Sequence, residues 1–257
     1  MTVGLLHPGE MGSALGLALM QRNHTVLWAS AGRSEATSQR AAAAGLTDAG
    51  SVDTLAAHSD VILSVCPPHA AKDVSALTAG ATALFVDANA IAPASARALA
   101  AEWGVERFVD GGIIGPPPRE PGTTRLYLSG TEADTIAELF AGTAVDARIV
   151  SSEPGDASAV KMTYAAWTKG TAALLLAIRA VAEAEGVADT LFDEWRESLP
   201  KLPDILTRAE RSAAAKGWRW TGEMEEIAST FAAAGLPDGF HRAAADVFAR
   251  GTGQRAK

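Results

Sequence analysis

The stretch Val3-Gly-Leu-Leu-His-Pro-Gly-Glu-Met-Gly12 joins a short apolar run to a helical pattern, and it decides the fold of the chain. Gly9 allows the backbone to approach a pyrophosphate, and Gly12 allows the helix to pack closely on the strand. Free N–H groups at the start of the helix would face the phosphates. The pattern departs from G-x-G-x-x-G because His7, either a phosphate neighbour or a turn residue, replaces the first glycine. The predicted dinucleotide-binding residues here are His7, Pro8, Gly9, Glu10 and Met11.

Short apolar runs alternate with alanine-rich helical stretches through the first half of the chain. The predicted strands are Val3–Leu6, His24–Trp28, Val61–Val65, Ala83–Asp87 and Phe108–Asp110; the helices between them are Met11–Gln21, Glu35–Ala44, Val52–Ala57, His69–Leu77 and Pro93–Trp103. Two later strands, Arg125–Ser129 and Arg148–Val150, flank a helix over Glu132–Phe140 and would extend the same sheet. This alternation predicts an α/β Rossmann domain over residues 1–154, with a doubly wound and mainly parallel sheet.

After Pro154 the sequence shows no strand pattern, which predicts an all-α C-terminal domain over residues 155–257. A long helix would begin at Asp156 or Ser158 and end near Gly186. Its interior is apolar around most of its circumference, so we expect it to be buried on all sides. The predicted helices after it are Leu191–Ser198, Ile205–Ala215, Glu223–Ala234 and Phe240–Phe248, separated by Pro200, Pro203, Gly217 and Pro237.

Composition narrows the class of protein. The 257 residues carry a formal net charge of -8, which argues against nucleic-acid binding because phosphate contacts need a basic face. The apolar stretch Gly170 to Ile178 is too short to cross a bilayer, and the N-terminus has no signal-peptide pattern. Cys66 is the single cysteine and the histidines are not at metal-ligand spacing, so we expect a cytoplasmic protein without a metal.

The end of the second strand distinguishes the two nicotinamide cofactors. NAD-binding domains usually place Asp or Glu there to bind the ribose hydroxyls. This chain has Ala29-Ser-Ala-Gly-Arg-Ser34 instead, without a carboxylate. Ser30, Arg33 and Ser34 would hold a 2′-phosphate, with Arg33 as the charged donor. We therefore predict NADP(H) in preference to NAD(H), and include the turn residues Cys66 and Pro67 in the cofactor set.

Four segments resemble the β-hydroxyacid dehydrogenases, which include phosphogluconate and hydroxyisobutyrate dehydrogenases and whose fold the imine reductases share. They are Val3–Gly12, Asp87-Ala-Asn-Ala-Ile-Ala-Pro93, Asp110-Gly-Gly-Ile-Ile-Gly-Pro116 and Gly155-Asp-Ala-Ser-Ala-Val-Lys161. The segment Trp218–Ile227 is similar to an uncharacterised domain found on some members. The resemblance covers about two-thirds of the chain and implies a homodimer with interleaved C-terminal helices, acting on a small molecule.

The resemblance makes Lys161 the catalytic lysine, a general acid/base whose pKa desolvation would lower into a useful range. The family's substrate-binding asparagine is Ala165 here, so Tyr164 or Thr168 would supply the polar contact. The family's Ser-Gly-Gly substrate motif is replaced by Ile114-Gly115-Pro116, which is closer to the imine reductases. Asn89 is either a donor to the nicotinamide or substrate, or a turn-forming residue.

Further candidate residues lie in the second domain. Glu223 and Glu226 are three positions apart on one predicted helix and can face one cleft, and His241 could be an acid/base group; a solvated acidic face and a capping or buried histidine are the alternatives. Trp218 and Trp220 are more typical of a core. The leading hypothesis is an NADP-dependent dehydrogenase or reductase of a hydroxy/carbonyl compound. An imine reductase or reductive aminase, and a catalytically silent cofactor-binding sensor, are the alternatives.

Overall fold

The computed structural model describes residues 1–251. The chain forms two compact units, Met1–Lys161 and a second beginning at Met162. The first unit is α/β and the second is helical, as predicted for the fold class. The domain boundary after residue 154 stays a prediction.

Within residues 1–251, one sheet of eight strands forms the centre of the first unit, in the order β3-β2-β1-β4-β5-β6-β7-β8. The strands are β1 (Thr2–Leu5), β2 (Thr25–Trp28), β3 (Thr47–Asp48), β4 (Val61–Ser64), β5 (Leu84–Asp87), β6 (Phe108–Ile114), β7 (Thr124–Ser129) and β8 (Val145–Ser151). All neighbours pair in parallel except β6 with β7. The two late strands therefore extend the sheet as predicted, whereas the short β3 was not predicted.

Helices cover both faces of this sheet. They are α1 (Glu10–Met20), α2 (Glu35–Ala43), α3 (Val52–Ala57), α4 (Ala71–Ala76), α5 (Pro93–Trp103) and α6 (Ala133–Leu139). Leu15 of α1 and Ile136 of α6 belong to one buried apolar cluster, and Leu55 of α3 and Leu99 of α5 belong to the other. The chain crosses from one face to the other between β1 and β4, and in doubly wound folds ligands bind beyond the carboxyl ends of the strands at such a switch point.

The second unit is built from α7 (Asp156–Ala184), which starts in the first unit, α8 (Ala188–Ser198), α9 (Leu202–Ala233) and α10 (Gly239–Gly251). The prediction of separate helices over Ile205–Ala215 and Glu223–Ala234 was wrong, because α9 runs continuously through Gly217. A glycine inside a helix costs only about 1 kcal/mol. Packing offsets this, as Gly217 is buried and the Trp220 ring lies 5.1 Å from that of Phe248 on α10.

The long helix α7 is not buried on all sides, contrary to our expectation. Trp167 is 74% exposed and Val181 is 62% exposed, and Tyr164 and Leu174 are also exposed. Among residues 1–251, α7 is the one helix whose length and composition would allow it to cross a membrane, a weak criterion that core helices also meet. A single chain therefore leaves these apolar side chains of α7 in contact with solvent.

Candidate active site

The glycine-containing loop after β1 has the geometry of a phosphate-binding turn. Residues 7–9, the cofactor loop, end at Gly9, which is the N-cap of α1. A Cβ atom on Gly12 would lie 2.2 Å from the carbonyl oxygen of His7, so the close approach of α1 to the loop requires glycine there. A Cβ on Gly9 would meet nothing within 4 Å. The loop is therefore tightly packed behind Gly12 and open at Gly9, as a fit to a pyrophosphate demands.

Two arginines hold the cofactor loop from the side of α2. The Arg33 guanidinium donates through Nη2 to the carbonyl oxygen of Leu6 at 3.2 Å, and Arg40 donates through Nε to that of Pro8 at 3.3 Å. Arg33 was predicted from the sequence and Arg40 was not. The only sequence signal for Arg40 was its place in the last turn of α2, where basic residues are common. The loop thus lies in a positive environment.

Buried polar atoms without partners lie in the same place. In the described chain, His7 Nδ1 and Arg33 Nε are buried and have no hydrogen-bond partner. Burial, with a smaller contribution from the Arg33 charge, lowers the pKa of His7 to about 4, so the imidazole is neutral at physiological pH. Unpartnered buried polar groups are unfavourable in a protein interior. Their position beside the open loop fits an anionic ligand such as a nucleotide phosphate.

A carboxylate of the neighbouring strand β3 lies beside the end of β2. Asp48 of β3 accepts hydrogen bonds from the backbone N–H of Ser30 at 3.2 Å and of Gly50 at 2.7 Å. A hydrogen bond with the Ser30 side chain is the main cause that lowers the pKa of Asp48. Ser34 accepts from the N–H of Thr37 as the N-cap of α2. The expectation that no carboxylate lies at this strand end was therefore wrong, because the unpredicted strand β3 brings one there.

Asn89 links the ends of β4 and β5. Its Oδ1 accepts from the N–H of Cys66 at 2.5 Å, while its Nδ2 donates to Ser64 Oγ at 3.0 Å and to Asp87 Oδ2 at 2.7 Å. The amide is buried and both of its N–H groups have protein partners, which favours the turn-forming role. Burial and Asp87 raise the pKa of the Cys66 thiol to about 12, so it is not a thiolate. Pro67, next in the chain, precedes a 3₁₀ turn (Pro68–Ala70).

Lys161 lies against the end of β6. Its Nζ donates to the carbonyl oxygen of Ile113 at 2.7 Å. The backbones approach closely here, since a Cβ on Gly112 would lie 2.6 Å from the carbonyl oxygen of Ala157 and 3.0 Å from Lys161 Cβ. The ammonium group is thus fixed at a strand end and only partly exposed.

Asp110, also on β6, binds the beginning of α7. Its Oδ2 accepts from the N–H of Gly155 at 3.0 Å, from the N–H of Ser158 at 2.8 Å and from Ser129 Oγ at 3.1 Å. Its Oδ1 accepts from Ser158 Oγ at 2.6 Å. Ser129 Oγ in turn accepts from the N–H of Ala157 at 3.0 Å. Burial raises the pKa of Asp110, and these hydrogen bonds oppose that rise. Asp110 lies in the segment Asp110–Pro116 that resembles the family, but no role was predicted for it.

The predicted substrate residues on β6 have structural constraints of their own. Ile114 is buried at the end of the strand. Gly115 has φ +128, and a Cβ there would lie 2.2 Å from the carbonyl oxygen of Thr123. Gly115 therefore serves the turn between β6 and β7, and the side chain beside it, that of Ile114, is apolar and buried.

The second unit contains a cleft between α7 and α9. It has a volume of about 340 Å³ and is lined by Thr168, Lys169, Arg208 and Trp220, among others. The hydroxyl of Thr168 donates to the carbonyl oxygen of Tyr164 at 3.4 Å, and both residues are exposed on α7. Thr168, one of the predicted substrate residues, thus lines this cleft.

The two predicted glutamates of the second unit are buried or partly buried in it, whereas Trp218 is exposed, so the expectation of a core position was wrong for Trp218. Glu223 forms a nearly buried ion pair with Lys169 at 2.6 Å, and the Lys169 ammonium lies 6.0 Å from the Trp220 ring centre. Glu226 is partly buried, and Trp218 is 51% exposed. An ion pair of this kind accounts for Glu223 without a substrate.

His241 is a buried histidine among aromatic rings. Its ring lies 4.2 Å from that of Phe231 and 5.2 Å from that of Phe240. Its Nδ1 is buried and has no hydrogen-bond partner in the described part of the chain. Burial lowers the pKa of His241, and the Asp238 charge opposes that change. Residues 1–251 contain no group of three or more His, Cys, Asp or Glu that could hold a metal ion.

Two family models match separate parts of the chain. Residues 2–91 match the NADP oxidoreductase, coenzyme F420-dependent, and residues 182–251 match a domain of unknown function, DUF1932. An uncharacterised 28.5 kDa protein of Methanothermus fervidus is 28% identical over 199 residues, which are 77% of each chain. The similarity of the C-terminal region to an uncharacterised domain is thereby confirmed.

Solved structures with the same fold cover nearly the whole chain. A conserved protein of unknown function, described as structurally similar to 3-hydroxyacid dehydrogenases, has 24% identity, a TM-score of 0.71 and complete coverage of both chains. A Mycobacterium tuberculosis 3-hydroxyisobutyrate dehydrogenase with L-serine has 20% identity and a TM-score of 0.67, covering 97% of this chain and 92% of its own. An Aspergillus terreus reductive aminase in complex with NADPH4, cyclohexanone and allyl amine has 17% identity and a TM-score of 0.60, covering 93% and 89%. Each family model covers less than half of the chain. The chain therefore has the fold of these hydroxyacid dehydrogenases and reductive aminases, with an N-terminal part similar to the NADP oxidoreductase model and a C-terminal part similar to DUF1932.

Proposed function

We propose that the protein is an NADP-dependent oxidoreductase that acts on a small hydroxy/carbonyl compound, with Lys161 as general acid/base. The observation that carries the proposal is the open loop at Gly9, flanked by unpartnered atoms of His7 and Arg33. This arrangement suits a dinucleotide phosphate. The match of residues 2–91 to an NADP oxidoreductase model supports the same conclusion.

The chain's own contribution to the reaction is proton transfer. A bound nicotinamide supplies or accepts the hydride. When a carbonyl carbon gains the hydride, its oxygen needs a proton, which the Lys161 ammonium donates; in the oxidative direction the neutral amine accepts it. The hydrogen bond from Nζ to the Ile113 carbonyl oxygen fixes the amine at the strand end. Tyr164 and Thr168 are proposed to orient the substrate.

The preference for NADP(H) rests on the balance of charge near the cofactor loop. Arg33 and Arg40 are positive, and neither has an ion-pair partner within residues 1–251. Asp48 is negative, but three hydrogen bonds from Ser30 and Gly50 already engage it. We therefore infer a net attraction for a 2′-phosphate.

The first test is a titration of the protein with NADPH and NADH, followed by tryptophan fluorescence. We expect tighter binding of NADPH, and equal affinity for both cofactors would contradict the proposed preference. NADPH consumption is then measured with a panel of ketones, 3-oxo acids and cyclic imines. NADPH binding without turnover across the panel would support a cofactor sensor instead.

The role of the lysine is tested by Lys161→Ala, with Lys72→Ala on the exposed surface of α4 as the matched control. We expect Lys161→Ala to lower kcat by about 10²- to 10⁴-fold, the usual contribution of a general acid/base. The control should retain full activity. Unchanged turnover of Lys161→Ala would refute the proposed mechanism.

Imine reduction is the second candidate, favoured by one observation. The buried Ile114 stands at the end of β6, where a hydroxyacid dehydrogenase of the resembled family has a polar residue. An apolar wall suits an imine with apolar substituents better than a carboxylate. Turnover of cyclic imines without turnover of oxo acids would select this candidate.

We also propose that the protein is a cytoplasmic homodimer. The exposed apolar residues Tyr164, Trp167, Leu174 and Val181 recur on α7 at the spacing of a helix–helix seam. Covering this seam with a second copy would remove apolar surface from water. Light scattering should give the mass of a dimer, and Leu174→Asp should yield a monomer. A monomeric wild type would contradict the proposal.

A further inference from the structure

We propose that Asp110 is a positioning residue for the reaction, which acts by fixing the first turn of α7 and, through it, the amine of Lys161. The inference rests on the proposed function, since it assigns Asp110 a role only through the lysine. It differs from a substrate-binding role for this segment, because the Asp110 carboxylate is directed to α7 and is buried.

Several hydrogen bonds join the Asp110 carboxylate to the start of α7. A helix leaves the N–H groups of its first turn without partners inside the helix. Asp110 accepts two N–H groups, from Gly155 and Ser158, together with the Ser158 hydroxyl. Ser129, which also donates to Asp110, accepts the N–H of Ala157. The start of α7 is thus capped in large part from the sheet, while the N–H of Asp156 is bonded to the carbonyl oxygen of Glu153 just before the helix.

Two consecutive residues of the same strand make further contacts with α7. Gly112 lies against the carbonyl of Ala157, and the Ile113 carbonyl accepts the Lys161 ammonium. Residues 110, 112 and 113 of β6 therefore define both the start of the helix and the position of the lysine. The segment Asp110–Ile113 acts as one rigid support for the first two turns.

The capped turn at Ser158 and the lysine at Lys161 lie close together along α7. Lys161 follows Ser158 by three residues, so its Cα is displaced by about 4.5 Å along the helix axis. A shift of the first turn would move Nζ by a similar amount to the shift itself. A misplacement of about 1 Å is enough to lower a rate by about 10²-fold. Loss of Asp110 should therefore reduce turnover although the carboxylate touches no substrate.

The test is a double-mutant cycle with the substrate found in the panel, comparing Asp110→Ala in the wild type and in Lys161→Ala. In the wild type we expect about a 10²-fold lower kcat, with the Kd for NADPH changed less than about twofold because the cofactor loop lies on another strand. In Lys161→Ala the same substitution should change the residual kcat by less than about threefold. Equal fold-losses in both backgrounds would overturn the inference.

Two variants keep the test decisive if Asp110→Ala does not fold. Asp110→Asn retains an oxygen for the two backbone N–H groups and an N–H for Ser158 Oγ, so it should recover most of the activity. Ser158→Ala removes the hydrogen bond to Oδ1 alone and should lower kcat by about tenfold, again only when Lys161 is present. If Ser158→Ala lowers kcat by the same factor in the wild type and in Lys161→Ala, the inference is overturned. An unchanged kcat in Lys161→Ala alone would refute the proposed role of the lysine and this inference with it.

Discussion

Lowering the pH should destabilise the protein through His7, and the sign follows from its pKa. In the folded chain the pKa of His7 is lowered to about 4 from 6.5, its value in an unfolded chain. Above about pH 6.5 both states hold a neutral imidazole. As the pH falls from about 6.5 to about 4, the unfolded state takes up a proton that the folded state excludes. The free energy of unfolding therefore decreases through this window and is affected no further below it.

The shift sets the size of the effect. A difference of about 2.5 units corresponds to about 3 kcal/mol at most. Because the imidazole is partly exposed, solvent screening should reduce this to about 2 kcal/mol over the whole window and to about 1 kcal/mol by pH 5. With a urea dependence of about 2 kcal/mol per molar, the unfolding midpoint should fall by about 0.5 M on account of His7.

Urea unfolding of the wild type and His7→Asn at about pH 7.5 and about pH 5 measures this contribution. The midpoint of the wild type should fall by about 0.5 M more than that of the variant. His69→Asn, which removes an exposed imidazole, is the matched control and should follow the wild type. Parallel pH dependence of wild type and His7→Asn would refute the assignment of a buried, neutral His7.

Three further substitutions test separate contacts. Gly12→Ala places a Cβ 2.2 Å from a carbonyl oxygen of the cofactor loop. We expect the variant to be about 2 kcal/mol less stable in urea unfolding and to lose NADPH binding. Binding of NADPH by the variant with the affinity of the wild type would show that α1 can move away from the loop. Arg33→Ala should raise the Kd for NADPH by about 10- to 100-fold and leave the Kd for NADH unchanged. Arg22→Ala, at an exposed position after α1, is the control and should change neither Kd. An equal effect of Arg33→Ala on both cofactors would show that Arg33 does not bind the 2′-phosphate. Glu223→Gln breaks the ion pair with Lys169 and should destabilise the protein by about 3 kcal/mol. The apolar pair Lys169→Met/Glu223→Leu should recover most of that loss. If Glu223→Gln leaves the free energy of unfolding unchanged, the ion pair contributes nothing to stability.

Local patterns were sufficient to predict most elements of the first unit. Short apolar runs bounded by turn residues predicted β1, β2 and β4 to β8, because each of these strands has such a pattern in its own sequence. The two-residue β3 has no such pattern, and it forms only because it pairs with β2. Asp48 was missed for the same reason, as its place beside Ser30 depends on that pairing.

The sequence by itself determined the Rossmann class, the position of the cofactor loop after β1 and the identity of Arg33 and Lys161 as candidates, because these depend on residue type and local spacing. Tertiary structure alone decided the partners: Asp110 with α7 and Glu223 with Lys169. It also decided that α9 passes through Gly217 without a break. The physical reason is that tertiary hydrogen bonds, burial and pKa depend on groups brought together from distant parts of the chain, whereas hydrophobic periodicity and turn-forming residue types depend on neighbours.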